Sequence, residues 1–272
     1  MLKQISQLLQ LVQHQHLITQ LTKRDVLERY RGSYFGLAWS FAYPVLMLLV
    51  YMFVFGVIFK MKWGIDPGSG IAGEVNFGVV IFSGLILHAF LGECFVRSTS
   101  LITGNQQYVK KVVFPLPILS IVTIGTALFH LMAGLAILLL FALVTGTQLH
   151  WTIIYTPLIL IPFVMLMLGI SWLLSAICVF VRDIAQIMGV LVTVLLFLAP
   201  IFYPLSRVPE AFQAWMYLNP LTAIIQQFRQ VLLFGQHPDW LVLGIYAIIG
   251  FIVMSLGYVF FRRTQGGFAD VV

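Results

Sequence analysis

Ionisable side chains are so rare in this 272-residue chain that each one poses a chemical question: fifteen Lys/Arg and nine Asp/Glu make up only 9% of it. Arg29 and Arg31 flank Tyr30, with Tyr34 just beyond. Guanidinium forks match phosphate oxygens, so this run suits an anionic headgroup. Glu93 and Arg97 are four apart, which places them on one helical face with the acid on the N-terminal side, the better order for pairing. They form either a self-neutralising pair or a lining and gating element. Arg182-Asp183 suits a short turn in which Asp183 caps the following helix and Arg182 holds a lipid phosphate. Arg229 is expected to pair with Glu210 or with a phosphate. His88 and His130 read as hydrogen-bonded packing residues, and Cys94 and Cys178 as small apolar ones. These groups are scattered and form no evident catalytic set. GxxxxGK[ST], HExxH, CxxC and GxSxG are all missing from the sequence, so the chain is expected to bind no nucleotide and no metal of its own.

The elements that carry these residues must lie in lipid. The chain is 61% hydrophobic, whereas soluble domains are roughly 45–50% apolar and about 25% charged. No Asp, Glu, Lys or Arg occurs in 32–59, 75–92, 112–181, 184–206, 211–228 or 240–261. A crossing needs about 20 apolar residues. Residues 112–181 are too long for one crossing and break at the polar Thr145-Gly-Thr-Gln-Leu-His-Trp151. Residues 211–228 are interrupted by Gln213, Asn219, Gln226 and Gln227. The expected fold is all-α and integral to the membrane. It has six spans at about 37–59, 77–97, 118–144, 155–180, 184–203 and 240–261 within one domain.

With both termini inside, eleven cations fall on the cytoplasmic side: Lys3, Lys23, Arg24, Arg29, Arg31, Arg97, Lys110, Lys111, Arg182, Arg262 and Arg263. Four fall outside: Lys60, Lys62, Arg207 and Arg229. This bias fixes the orientation. The net charge of +6 therefore marks the cytoplasmic face and not a nucleic-acid partner. The opening residues lack an apolar core and a cleavage site, so no signal peptide is expected.

Three segments between spans carry further information. Within 1–31, Leu17, Ile18, Leu21, Leu27 and Tyr30 form an apolar strip beside Lys23, Arg24, Arg29 and Arg31. That pattern suits a helix lying in the interface with its apolar side in the acyl boundary. The alternative is ordinary basic flanking of a first span. The loop at 98–117 is longer than the roughly 2–8 residues that join packed helices. It is either a plain connector or a short docking helix, ended by Pro115 and Pro117. In 204–239, one short helix is expected at Pro209–Tyr217. A second starts at Asn219-Pro220 as N-cap and first residue and stops at Gly235. Both would dip into the outer leaflet and return.

The chain resembles the membrane subunit of ABC-2 type transporters, in particular the exporters of O-antigen, capsule and teichoic-acid polysaccharides. Five fragments carry the resemblance: Arg24-Asp-Val-Leu-Glu-Arg-Tyr-Arg-Gly-Ser-Tyr-Phe-Gly-Leu-Ala-Trp-Ser-Phe-Ala-Tyr-Pro44, Val179-Phe-Val-Arg-Asp-Ile184, Ala199-Pro-Ile-Phe-Tyr-Pro204, Leu218-Asn-Pro-Leu221 and Phe228-Arg229. Each is weak alone; their order and spacing across the chain are specific. The resemblance implies a homodimer in the bacterial inner membrane, with two copies of a separate ATPase subunit that uses ATP and Mg. It implies docking of that subunit through about Ser100–Tyr108, including Gly104, Asn105, Gln106, Gln107 and Tyr108. The helices of 204–239 would form a periplasmic gate, to which Glu93, Arg97, Arg182, Asp183 and Arg229 are tied as gate or inner-interface charges. The implied substrate is a glycan on polyprenyl pyrophosphate, with Arg29, Arg31 and Tyr34 at the lipid entrance. Of 23 Phe, 10 Tyr and 6 Trp, Tyr43, Tyr51, Phe197, Phe202 and Tyr203 are the candidates to line a glycan channel. Capsule or teichoic-acid export, or efflux of drugs or small lipids by the same fold, is the alternative.

Overall fold

A computed structural model describes residues 13–60, 63, 76–110 and 114–271. Lys3, Lys62 and Lys111 lie outside the described residues, as do 1–12 of the interface region and 111–113 of the docking loop. The described residues are helical and contain no strand. In chain order the helices are α1 (Gln15–Arg29), α2 (Trp39–Tyr51), α3 (Phe77–Thr99), α4 (Gln106–Lys110), α5 (Pro117–Val144), α6 (Thr156–Phe180), α7 (Ile184–Leu198), α8 (Glu210–Met216), α9 (Pro220–Leu232), α10 (Trp240–Thr264) and α11 (Phe268–Val271). Short helical turns extend α2 to Gly36–Ile58, and others precede α6 from Trp151.

Five of these segments are long and apolar enough to cross a membrane: Gly36–Ile58, Phe77–Thr99, Pro117–Val144, Trp151–Phe180 and Trp240–Val271. They follow the expected spans 37–59, 77–97, 118–144, 155–180 and 240–261. The expected fifth span, 184–203, departs from the expectation. Its helix ends at Leu198 after 15 residues, a reach of about 22 Å against a hydrocarbon core of about 30 Å. Ala199-Pro200 cuts it short, because proline cannot continue the hydrogen-bond ladder.

α3 is the central post of the bundle. Its run from Val79 to Leu87 is buried, and it packs against α5, α6, α7 and α9 in one continuous apolar core. The most extensive pairing joins α6 to α10. Bilayer lipid is as apolar as leucine, so helices associate there by close backbone approach at small residues. Gly169 and Gly257 provide that approach. A β-carbon on Gly169 would come within 2.5 Å of the Met254 nitrogen, and one on Gly257 would strike the Gly169 carbonyl.

α1 adds to the expectation made for it. Leu17, Ile18 and Leu21 pack on a second core formed by Leu101, Ile102, Ile118, Leu119, Val122 and Phe268, and Val26 is buried. Leu17, Ile18 and Leu21 are half-buried against this core, and Leu27 is largely exposed. An apolar strip specifies burial but not what buries it. α1, α4 and α11 thus gather at one end of the bundle, where Arg97 and Arg182 also lie. α9 starts and stops as expected: the Asn219 side chain accepts from the Leu221 amide, and Gly235 turns the chain with φ +63°.

Gly257→Val should lower stability by about 3 kcal/mol, at the upper end of overpacking costs. Thermal unfolding of the detergent-solubilised protein would measure it. Gly266→Val, at a position open on all sides, should change little.

Candidate functional site

A furrow of about 700 Å³ runs along the bundle between α2, α3 and α5. Trp39, Tyr43, Met47 and Tyr51 form one wall, Phe82, Leu85 and Ala89 the floor, and His130, Leu131 and Gly134 the other wall. Arg29, Tyr30, Glu93 and Arg97 close the end nearest α1.

That end is an ion cluster built from three helices. Glu93 and Arg97 do share a face, but their contact is long, 3.4 Å. Arg97 Nη2 instead donates to both oxygens of Asp25, at 2.8 and 2.6 Å. Thr126 Oγ1 adds a bond of 2.7 Å to Asp25 Oδ2. Glu93 Oε1 accepts from Arg29 Nη1, and Glu93 Oε2 lies 2.8 Å from His130 Nδ1. His130 Nε2 is in turn 3.0 Å from the Tyr30 hydroxyl. Burial pushes the Tyr30 phenol up, so it stays protonated and available as a hydrogen-bonding group. The self-contained Glu93–Arg97 pair is therefore corrected to a network in which α1 supplies one partner for each. Charges at this depth persist only when paired.

Asp25 is a site residue that sequence reasoning does not single out. A signal for it exists: Asp25 and Arg29 are four apart, so they turn one acid and one base toward α3 and α5. Arg31 and Tyr34 are exposed, and Tyr34 reaches only its neighbour Phe35, edge-on at 5.8 Å. They follow α1 in a turn and do not join the cluster.

Beyond Tyr51, on the α2 wall of the furrow, other aromatic candidates converge outside its lining. Phe202 stacks on Phe55 at 5.1 Å and meets Tyr51 at 5.9 Å and Phe197 at 6.2 Å. The Tyr203 hydroxyl donates to the Phe197 carbonyl at 2.8 Å. Phe55 is not among the expected residues; its spacing of four from Tyr51 places it on the same face. Tyr43 stands exposed on the furrow wall, apart from this group.

Arg229 is neither paired with Glu210 nor open to a headgroup. It is 4% exposed and donates to the carbonyls of Pro200 (2.6 Å), Ile201 (3.0 Å) and Val80 (2.9 Å) and to Ser83 Oγ (3.2 Å). Its guanidinium also lies 4.6 Å from the Trp63 ring centre. The carbonyls freed where α7 breaks need donors, and a guanidinium carries five in a fixed fork. Arg182 and Asp183 are both exposed, and the Asp183 side chain makes no capping bond to α7. Arg182 instead borders a hollow of about 300 Å³ with Ser100, Thr103 and Gln106.

The loop between α3 and α5 forms a helical turn over Thr103–Asn105 and then α4, a shorter and later helix than Ser100–Tyr108. Gly104, Gln106 and Gln107 are exposed, whereas Asn105 ties back to the Leu101 carbonyl at 2.8 Å. Tyr108 turns inward, 4.6 Å from the Phe114 ring and accepting from Arg24 at 3.0 Å. That bond raises the Arg24 pKa. This bond ties α1 to the loop.

A sequence model for ABC-2 type transporters matches residues 16–233. The chain belongs to this family. It is 25% identical to the O-antigen export system permease protein RfbA of Klebsiella pneumoniae, over 94% of this chain and 95% of that protein. It is 26% identical to the protein of the same name from Myxococcus xanthus, over 97% and 98%. It is 20% identical to the polysialic acid transport protein KpsM of Escherichia coli, over 89% and 91%. An ABC-2 permease is a membrane subunit without an ATPase site of its own, and the furrow, at about 700 Å³, is larger than the hollow beside Arg182.

Arg229→Met should leave three buried carbonyls and Ser83 without their donor and cost about 3 kcal/mol or more. Arg229→Lys should recover only part, because a single ammonium cannot span the fork. Thermal melts of the two variants side by side would measure both effects.

Proposed function

We propose that the chain is one half of the conduit of an ATP-driven exporter that carries a lipid-linked polysaccharide, of O-antigen type on polyprenyl diphosphate, out of the cytoplasm. The reading rests chiefly on the furrow, which runs from a cationic end at Arg29 to Tyr51, where the aromatic cluster of Phe55, Phe197 and Phe202 begins. The relatives named for O-antigen export cover nearly the full chain at 25–26% identity, against 20% for the polysialic acid protein. That difference favours the O-antigen branch over capsule export.

In this reading the chain crosses the membrane six times, counting α7, with both termini in the cytoplasm. Two copies face each other. α2 and α7 are the helices whose apolar faces the protomer leaves most open, with Leu49, Phe53, Val190, Val194 and Phe197 all exposed. A helix as short as α7 suits the wall of a wet conduit better than a lipid-facing position. Each copy carries a separate ATP-binding subunit on the exposed Gly104, Gln106 and Gln107. That subunit hydrolyses ATP with Mg, and its stroke reaches the furrow through α4, Tyr108 and α1.

The chemistry asked of this chain is passage, not reaction. Arg29 and Arg31 receive the diphosphate, and Tyr34 rests in the headgroup layer. Sugar rings then slide along Trp39, Tyr43, Tyr51 and Phe202, because aromatic faces contact C–H faces of many sugars without demanding one orientation. α8 and α9 close the outer end.

Arg29→Gln with Arg31→Gln should abolish export of the lipid-linked glycan into inverted vesicles while the complex with the ATPase still assembles; export at the wild-type rate would refute the role. Lys110→Cys should react with an impermeant maleimide only from the cytoplasmic side. Labelling from outside would overturn the orientation.

A further inference from the structure

A guanidinium open to the surface of a bilayer meets a competitor at every moment, because the membrane is itself made of phosphates. If Arg29 receives a diphosphate, something must keep bulk phospholipid off it. Glu93 is placed to do this. We propose that Glu93 is a resident counter-ion that sets the specificity of the Arg29 site, yielding to a diphosphate and not to the phosphodiester of an ordinary phospholipid. The inference rests on the reading of the furrow as a lipid-diphosphate entrance.

Three observations carry it. Glu93 engages Arg29 through one nitrogen only, Nη1, and the Arg29 side chain is 48% exposed while Glu93 is 13% exposed. The acid is fixed within the bundle and the base can be approached from the furrow. Second, the cluster is balanced without a ligand. Asp25 takes Arg97 with both oxygens, so Glu93 is the acid that answers Arg29. Third, Glu93 has somewhere to go. His130 Nδ1 already holds Oε2 at 2.8 Å, and Arg97 Nη1 stands 3.4 Å from Oε1. Losing Arg29 would not leave the carboxylate bare, which is what makes exchange feasible for a charge at this depth.

The discrimination follows from charge. A phosphodiester carries the same single negative charge as Glu93 but must be brought in and held, so it gains little by displacing a carboxylate already in position. A diphosphate esterified at both ends, by lipid and by sugar, carries about two negative charges, one on each phosphorus, and can grip both terminal nitrogens of the fork. Specificity then comes from a built-in opponent to the wrong ligand as much as from contacts to the right one.

The test uses the permease co-purified with its ATPase subunit in nanodiscs of phosphatidylcholine, with or without added phosphatidylglycerol, and geranylgeranyl diphosphate as the probe. Wild type should bind the probe equally in both lipids, and Arg29→Gln should abolish binding. Glu93→Gln should bind about tenfold more tightly in phosphatidylcholine and lose that gain when phosphatidylglycerol is present. His130→Ala takes away the second partner of Glu93, tightens its hold on Arg29 and should weaken binding severalfold, the opposite direction. Its result stands whether or not the Glu93 variant folds. Binding that needs Arg29 but is the same in Glu93→Gln, His130→Ala and wild type, in both lipids, would overturn the counter-ion and leave the entrance intact. Binding that ignores Arg29 in every variant would remove both.

Discussion

A helix that stops short inside an apolar core leaves carbonyl groups with no water to bond, and the structure is arranged around one such stop. α7 ends at Leu198, and the chain turns through Ala199, Pro200 and Ile201, of which Ala199 and Ile201 are fully buried. Irregular backbone at membrane depth survives only where protein satisfies it. Arg229 supplies the donors. Because it also bonds Val80 and Ser83, one side chain pins the broken helix, the central post α3 and the returning helix α9 together. The aromatic cluster around Tyr51 and Phe55 depends on this, since Phe197 and Phe202 flank the same break. A carboxylate partner would have neutralised Arg229 but could not have satisfied carbonyls. The choice of neutral acceptors is what makes the residue a fastener and not a ligand site.

The opposite end obeys the same constraint by a different route. Its charges are paired across helices, and the pairings converge on α1. Arg29 meets Glu93, Asp25 meets Arg97, and Arg24 meets Tyr108 on the loop. α1 is therefore bound to α3 by ions, to the loop by a hydrogen bond and to α5 by apolar packing. The loop also packs directly on the bundle through Leu101 and Ile102, beside Ile118, Trp172 and Phe261, and α1, which carries Arg29 at the mouth of the furrow, is fastened to both.

Much of this architecture is legible in the sequence because lipid simplifies the code. Charge-free runs mark spans, and the polar break at Thr145–Trp151 separates α5 from α6. Asn219-Pro220 and Gly235 bracket α9 by local capping chemistry alone. What stays illegible shares one cause: the partner is distant or has no side chain. Arg229 bonds backbone carbonyls, which every residue possesses, so no motif announces them. Asp25 and Arg97 are separated by 72 positions, and only the fold makes them neighbours. Leu17, Ile18 and Leu21 read correctly as apolar but not as packing on protein, because hydrophobicity does not distinguish an acyl chain from α5. At α7 the stretch 184–203 contains enough apolar residues for a span, but Pro200 divides it and the helix ends at Leu198.

Between its two ends the furrow is lined by no Asp, Glu, Lys or Arg among the described residues, and this bears on what can pass. A cation midway along it would hold an acidic sugar and stall it; an acid would exclude one. In the proposed reading, confining charge to the mouth has the anchor recognised once, where the cost of exposing an ion is least. Beyond that point the walls are Trp39, Tyr43, Tyr51, Phe82 and Phe90 among the aliphatic Met47, Leu85, Leu131 and Leu196, a lining with no charge to hold a sugar ring. Recognition strong enough to select a lipid anchor and a path weak enough to release a polymer are incompatible in one place. In the proposed reading, the separation of Arg29 on α1 and Glu93 on α3 from Tyr51 at the end of α2 is how a single chain accommodates both.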